Sequence, residues 1–290
     1  MKKSIQILGV FLFVAILFIS CKKDISPTQQ TKQTGTLLTQ NSFNLSTRAE
    51  TQPPIQTEVQ TRVNANIGGY IETLPYGYDS HKANGYPLLI ALTGTGGLGN
   101  GTTDLYKVEI CNAVQNLIKH QHFPASFSVN GNNYSFIVIS PQFKAWPQSS
   151  DVNDMIDYAI SHYNIDATRI YVCGQSMGGG NTWDYAIDYG ARLAAIVPIC
   201  GASYPTTDKA KKIAQADVAV WAFHNSGDKS VPSWYSVDYV TWINSYNPLI
   251  PAKLTLWQTA GHNAWTEACD PAYTENGMNI YEWMLNYKKN

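Results

Sequence analysis

An excess of basic charge is absent. Twenty lysines and arginines face 21 acidic residues in 290, a net charge of −1, which leaves nothing to neutralise a phosphate backbone and excludes a dedicated nucleic-acid binder. Cysteine is scarce: five in the chain rule out a disulfide-dense scaffold, and no two stand at the short spacing of a zinc site. Charged residues are only 14%, against 44% hydrophobic and 12% aromatic, the composition of a folded globular protein with a sizeable core. No internal repeat occurs, so what remains is one domain of ordinary size.

The one long apolar run, Ile5 to Ser20, follows Met1-Lys2-Lys3 and carries no charge. At 16 residues it is short of the ~20 that a spanning helix needs, and it has the form of an export signal. A small residue before Cys21 resembles a bacterial lipoprotein cleavage site, although Phe18 stands where Leu is usual. That resemblance implies lipid on Cys21 and a protein held at the bacterial cell envelope or surface. An uncleaved anchor is the other reading of the run. From Ser26 to Thr61, 19 of 36 residues are Ser, Thr or Gln, too polar to offset the entropy of ordering. The expected organisation is therefore a signal over 1–20, a lipidated cysteine and flexible stalk over 21–62, and a catalytic domain over 63–290, with Ile55 to Val63 alternating enough to form a first strand.

Apolar runs of strand length recur at Ile67 to Leu74, Pro87 to Leu92, Ser135 to Ser140, Ile170 to Cys173, Ala194 to Cys200, Val218 to His224 and Leu254 to Thr259. Most are continuous, which suits strands covered on both faces. Helical patterns lie between them, at Leu105 to Lys119, Val152 to Tyr163, Met177 to Tyr189, Ser233 to Tyr246 and Gly277 to Tyr287. The alternation predicts an α/β fold, a mostly parallel central sheet with helices on both faces. In such sheets chemistry sits beyond the carboxyl ends of the strands.

One strand-end loop there is Gly174-Gln175-Ser176-Met177-Gly178. A G-x-S-x-G pattern alone is weak, but here it joins an apolar run to a helical pattern, as a nucleophile elbow requires. Ser176 would project from the turn as nucleophile, with the Met177 N–H placed to stabilise negative charge. A serine hydroxyl needs a base, and the base an orienting carboxylate. Asp228 follows the run Val218 to His224, and His262 follows Leu254 to Thr259, giving the chain order serine, acid, histidine. Of the other histidines, His81, His120 and His122 precede the nucleophile and His162 falls in a helix, while His224, four residues before Asp228, is expected to pack beside the acid. The glycine-rich stretch Thr93 to Gly101 lacks the lysine of a phosphate loop. Its glycines would let the Thr95 N–H approach an oxyanion as second donor.

Thr93 to Gly97, Ser140-Pro141-Gln142, Gly174 to Gly179, His224 through Asp228 to Val231-Pro232, and Gly261-His262 with Trp265 together resemble secreted esterases of the α/β-hydrolase superfamily. Nearest are the feruloyl and acetyl-xylan esterases of carbohydrate esterase family one and their polyester depolymerase relatives. The resemblance implies an α/β-hydrolase fold and a serine esterase in which Ser176 is nucleophile, Asp228 acid, His262 base, and Thr95 and Met177 oxyanion donors. The usual histidine before the first glycine of the oxyanion loop is here Thr93, a departure that bears on loop geometry and rate. No metal or organic cofactor is implied. The expected partners are an ester substrate, polysaccharide-linked in view of export and stalk, and a membrane through the lipid anchor.

Trp146, Trp234 and Trp265 stand close enough in sequence to these loops to line a cleft and stack on a phenolic or sugar ring, with packing as the bland alternative. Cys173 and Cys200 end apolar runs and suit buried packing positions. Export would permit a disulfide, Cys111 or Cys200 to Cys269 among the possible pairings. Two other functions fit the same residues: a serine peptidase of this fold, and a catalytically silent carbohydrate-binding lipoprotein.

Overall fold

The computed structural model describes residues 49–289, so the export run, Cys21 and most of the Ser/Thr/Gln-rich segment lie outside the described residues. In chain order the elements are β1 (Ile55–Val59), β2 (Ile67–Leu74), β3 (Tyr86–Leu92), α1 (Tyr106–Cys111), α2 (Ala113–Lys119), β4 (Phe127–Val129), β5 (Asn132–Tyr134), β6 (Ile137–Phe143), α3 (Ser149–His162), β7 (Ile165–Gln175), α4 (Met177–Tyr189), β8 (Ala195–Ile199), α5 (Thr207–Gln215), β9 (Ala219–Gly227), α6 (Trp234–Ser245), β10 (Lys253–Ala260), α7 (Trp265–Ala268) and α8 (Ile280–Leu285).

Eight strands form one sheet in the order β1-β2-β6-β3-β7-β8-β9-β10, and β4 and β5 make a separate hairpin. From β6 to β10 every pairing is parallel. β1 and β2 pair antiparallel, as do β2 and β6. Every residue of β3 is buried, and its side chains divide between two cores because successive residues of a strand face opposite ways. Leu88, Ile90 and Leu92 join the core under α3 to α6, with Met155, Trp183, Ile213 and Tyr239. Leu89 and Ala91 join the core on the other face, with Val114, Phe127, Tyr281 and Met284. The α/β architecture with helices on both faces is thus the one expected from continuous apolar strands.

β1 pairs with β2 over Ile55 to Val59, within the stretch expected as a first strand, so the sheet starts ahead of residue 63; Gln56 also reaches Gln115 of α2 with its side-chain amide, 3.0 Å from the carbonyl oxygen. Two expectations need correction. The single helix expected over Leu105 to Lys119 is two. Asn112 leaves the helical region at ψ 123° and caps α2, accepting from the N–H groups of Val114 and Gln115 while donating to Ala91 O at 2.8 Å. Finally, neither Cys111 nor Cys200 is joined to Cys269. A Cβ on Gly96 would lie 3.3 Å from Cys111 Sγ, Cys200 faces Asp228, and Cys269 packs against Cys173.

Candidate active site

β7 ends at Gln175 and α4 begins at Met177, so Ser176 alone turns the chain. Its φ of 54° and ψ of −116° lie where a residue with a Cβ is strained. The surroundings hold it there: Ser176 N–H donates to Ile199 O at 2.9 Å, and Ser176 O accepts from the N–H groups of Gly180 at 2.9 Å and Ala202 at 3.0 Å. Glycine is required at two neighbours, since a Cβ on Gly174 would lie 2.3 Å from Gly178 O and one on Gly178 would lie 2.4 Å from Leu92 O. The glycines let the start of α4 lie directly against β3 and β7, which pushes the serine side chain outward.

Asp228 and His262 reach the same place from the next parallel strands. Ser176 Oγ is 2.8 Å from His262 Nε2, and His262 Nδ1 is 2.6 Å from Asp228 Oδ2. With a carboxylate at Nδ1, that nitrogen carries the hydrogen, and Nε2 is left to accept from the serine hydroxyl. The Asp228 side chain is fully buried and the His262 side chain 13% exposed, so the acid is dry and the base opens to solvent. Asp228 Oδ1 accepts from the N–H groups of Ser230 at 2.8 Å and Val231 at 3.1 Å. Burial alone would raise this carboxyl, but hydrogen bonds from His224, His262 and the Val231 N–H outweigh it and hold Asp228 well below the usual carboxylate range.

The glycine-rich loop lies against Ser176: a Cβ on Gly94 would be 3.4 Å from Ser176 Cβ and 3.9 Å from Oγ. Thr95 opens a 3-10 turn, Thr95–Gly97, and Met177 is the first residue of α4, so neither N–H has an acceptor within its own helix. Thr93 is buried beneath this turn, its side chain filling the space where a Gly97 Cβ would point. Of the tryptophans, Trp265 meets His262 edge-on with ring centroids 5.2 Å apart. Trp234 stands 41% exposed in an aromatic group with Tyr204 and Tyr235. Trp146 is 46% exposed between β6 and α3, next to Pro147, whose carbonyl accepts from Asn181 of α4.

Sequence reasoning passed over the groups that brace these loops. Gln142, fully buried, donates to Gly97 O at 3.1 Å and Asp104 O at 2.9 Å and accepts from Gly101 N–H at 2.8 Å. Gln175 accepts from Ala113 N–H at 3.0 Å and donates to Cys111 O at 2.9 Å, and Asn225 donates to Gly261 O at 3.0 Å. Their signal was present as polar amides at the carboxyl ends of otherwise apolar strands, where an unpaired amide would be costly.

Among the described residues, Cys200, Asp228 and His262 offer metal-ligand atoms within 4.8 Å of one another. They do not suit a cation. Asp228 and His262 already bond each other, and burial followed by the neighbouring Asp228 charge pushes the Cys200 thiol up to about 12, so it keeps its proton where a ligand must lose one.

No protein-family model matches the chain, and no curated protein matches it in sequence. Solved structures do match in fold. A thermostable esterase superposes with a TM-score of 0.60 at 22% identity, over 81% of this chain and 63% of that one. A fluorophosphonate-binding serine hydrolase of Staphylococcus aureus gives 0.55 at 14%, over 81% and 100%. A feruloyl esterase module from Clostridium thermocellum, complexed with sinapinate, gives 0.50 at 17%, over 76% and 90%. The chain spans under two thirds of the thermostable esterase. The fold is that of an α/β-hydrolase.

Proposed function

We propose that the protein is a serine carboxylic-ester hydrolase. The observation that carries this is the unbroken chain from Ser176 Oγ through His262 to the buried Asp228, at 2.8 and 2.6 Å, starting from a strained strand-to-helix turn. Ser176 Oγ attacks the ester carbonyl carbon as His262 Nε2 takes its proton. The Thr95 and Met177 N–H groups receive the oxyanion. The tetrahedral species collapses to an acyl-Ser176, and the departing alcohol takes its proton from His262 Nε2. Water, deprotonated by His262, then releases the acid and restores the serine.

The substrate class is acyl esters of extracellular polysaccharide, and the protein works at the bacterial cell envelope, tethered by lipid on Cys21. What supports this finer reading is the export run, Cys21 and polar segment of residues 1–62, and the structural likeness to a feruloyl esterase module seen with sinapinate.

The test is hydrolysis of p-nitrophenyl acetate and methyl ferulate by the full chain and by Ser176→Ala, with labelling by a fluorophosphonate probe. The expected result is turnover and labelling in the wild type, with turnover falling about a thousandfold or more in the variant. Faster turnover of peptide amides would move the assignment to a peptidase, and glycan binding without turnover to a silent lipoprotein. Acetate or ferulate released from xylan tests the polymer, and palmitate incorporation lost in Cys21→Ser tests the anchor.

A further inference from the structure

A second histidine touches the acid. His224 lies in β9, its side chain fully buried, with Nε2 3.3 Å from Asp228 Oδ2 and 3.1 Å from Val231 O. Both neighbours of Nε2 are acceptors, so that nitrogen carries the hydrogen and shares it between them. Nδ1 lies 2.8 Å from the buried Ser236 hydroxyl of α6. The ring is held at both ends.

The Asp228 carboxylate is engaged at both oxygens. Oδ1 takes the Ser230 and Val231 N–H groups, Oδ2 takes His262 Nδ1 with His224 Nε2 at 3.3 Å, and the Cys200 thiol faces the same carboxyl. Rotation about the carboxylate axis would cost several of these contacts at a fully buried side chain. The His224 hydrogen also bridges the first and last residues of the turn 228–231, which holds the acid loop closed.

We propose that His224 is a positioning residue: it locks the Asp228 carboxylate in the one orientation from which Oδ2 can hold His262 upright toward Ser176. The proposal rests on the hydrolase reading above. Its chemistry is steric and electrostatic, and the His224 proton goes nowhere in the cycle.

The experiment compares full-length wild type with His224→Leu, His224→Gln and Ser236→Ala. In His224→Leu, kcat on p-nitrophenyl acetate should fall about tenfold to a hundredfold, the cost of a misplaced catalytic group, with KM within about twofold. His224→Gln, whose amide nitrogen approximates the position of Nε2, should recover most of that loss. Ser236→Ala, which frees the ring without removing it, should lose a few-fold. The groups facing the Asp228 carboxyl are His262, His224 and the thiol of Cys200. Removing His224 should therefore raise the pH at which a ¹³C-labelled Asp228 carboxyl titrates.

A merely structural role would lower the melting temperature and leave the kcat and titration of the folded fraction unchanged, and that result would overturn the proposal. Should His224→Leu not fold, unaltered kcat in Ser236→Ala would overturn it equally. Should the wild type turn over no ester and take no fluorophosphonate, it is the hydrolase reading that fails, while the carboxyl titration still reports the contact between His224 and Asp228.

Discussion

The side-chain amide of Gln142 donates to the carbonyl oxygen of Gly97 at 3.1 Å, and this contact ties the end of β6 to the loop that carries Thr95. The loop has no regular structure beyond one 3-10 turn, so its shape depends on what holds it from outside. Gln142 does so at three backbone groups, those of Gly97, Gly101 and Asp104.

Replacing Gln142 by Leu leaves the Gly97 carbonyl and the Gly101 N–H unpaired in a buried place, at a cost of about 1–3 kcal/mol each, while Asp104 O keeps the Lys107 N–H. The loop would then shift away from Ser176. The expected outcome is a fall in kcat of at least about tenfold, part of what loss of an oxyanion donor costs, together with a lower melting temperature. Steady-state kinetics and a thermal melt check it, and a Gln142→Leu enzyme with unaltered kcat would remove Gln142 from the account of the loop.

Two glycines near the nucleophile should respond differently to one added methyl group. On Gly178 it would lie 2.4 Å from Leu92 O, a backbone atom at the centre of the sheet, so Gly178→Ala should destabilise by roughly 3 kcal/mol or more. On Gly96 it would meet Cys111 Sγ at 3.3 Å, a contact that a small side-chain movement relieves. Gly96→Ala should fold with a melting temperature within a few degrees of wild type. Equal melting temperatures for the two variants would contradict the packing described for the turn.

Thr93 offers a third test. Its hydroxyl is buried and meets no donor or acceptor among the described residues, while its methyl group and Cβ fill the space beneath Gly97. Support of the loop is therefore by volume. Thr93→Val keeps that volume and should leave esterase activity within about twofold and stability within ~1 kcal/mol of wild type or above it. Thr93→Gly, which removes the filling, should lose both. Loss of activity in the valine variant would mean that the hydroxyl matters.

The position of Asp228 predicts a pH dependence. Its carboxyl titrates below the usual range in the fold because His224, His262 and Val231 outweigh the opposing effect of burial. A depressed carboxyl stabilises the native state fully above its unfolded value of ~3.9 and loses that contribution as pH falls through the folded value. The advantage of wild type over Asp228→Asn in urea unfolding should therefore be constant near neutral pH and shrink below about pH 4. A gap that stays constant down to pH 2 would contradict the hydrogen-bond set assigned to this side chain.

The strands were legible because each is dictated locally, and so were the strand-end loops that bring Ser176, Asp228 and His262 together. β2 begins and ends where its apolar run does, and α4 spans the expected Met177 to Tyr189, since the runs are bounded by glycine, proline and polar clusters. Ser176, Asp228 and His262 each lie in the loop or turn a few residues beyond such a run. The break at Asn112 was not legible, because residues 105–119 keep a helical pattern throughout and the deciding bond runs to Ala91 on another strand. α5 was missed since Thr207–Gln215 is mostly polar, with only Ala210, Ile213 and Ala214 buried. The bracing amides escaped for the same reason as Asn112. A buried glutamine discloses its role only when its partners, 38 to 64 residues away in sequence, are brought to it.

The edge strand has a mechanical meaning. Tension on the chain preceding residue 49 enters the domain at β1, five residues long and hydrogen-bonded to the sheet only through β2. Ser176, Asp228 and His262 follow β7, β9 and β10, on the far side of β6 and β3 in the strand order. A pull would therefore load β1, β2 and the Gln56–Gln115 contact with α2 before it reached the loops that hold those three side chains.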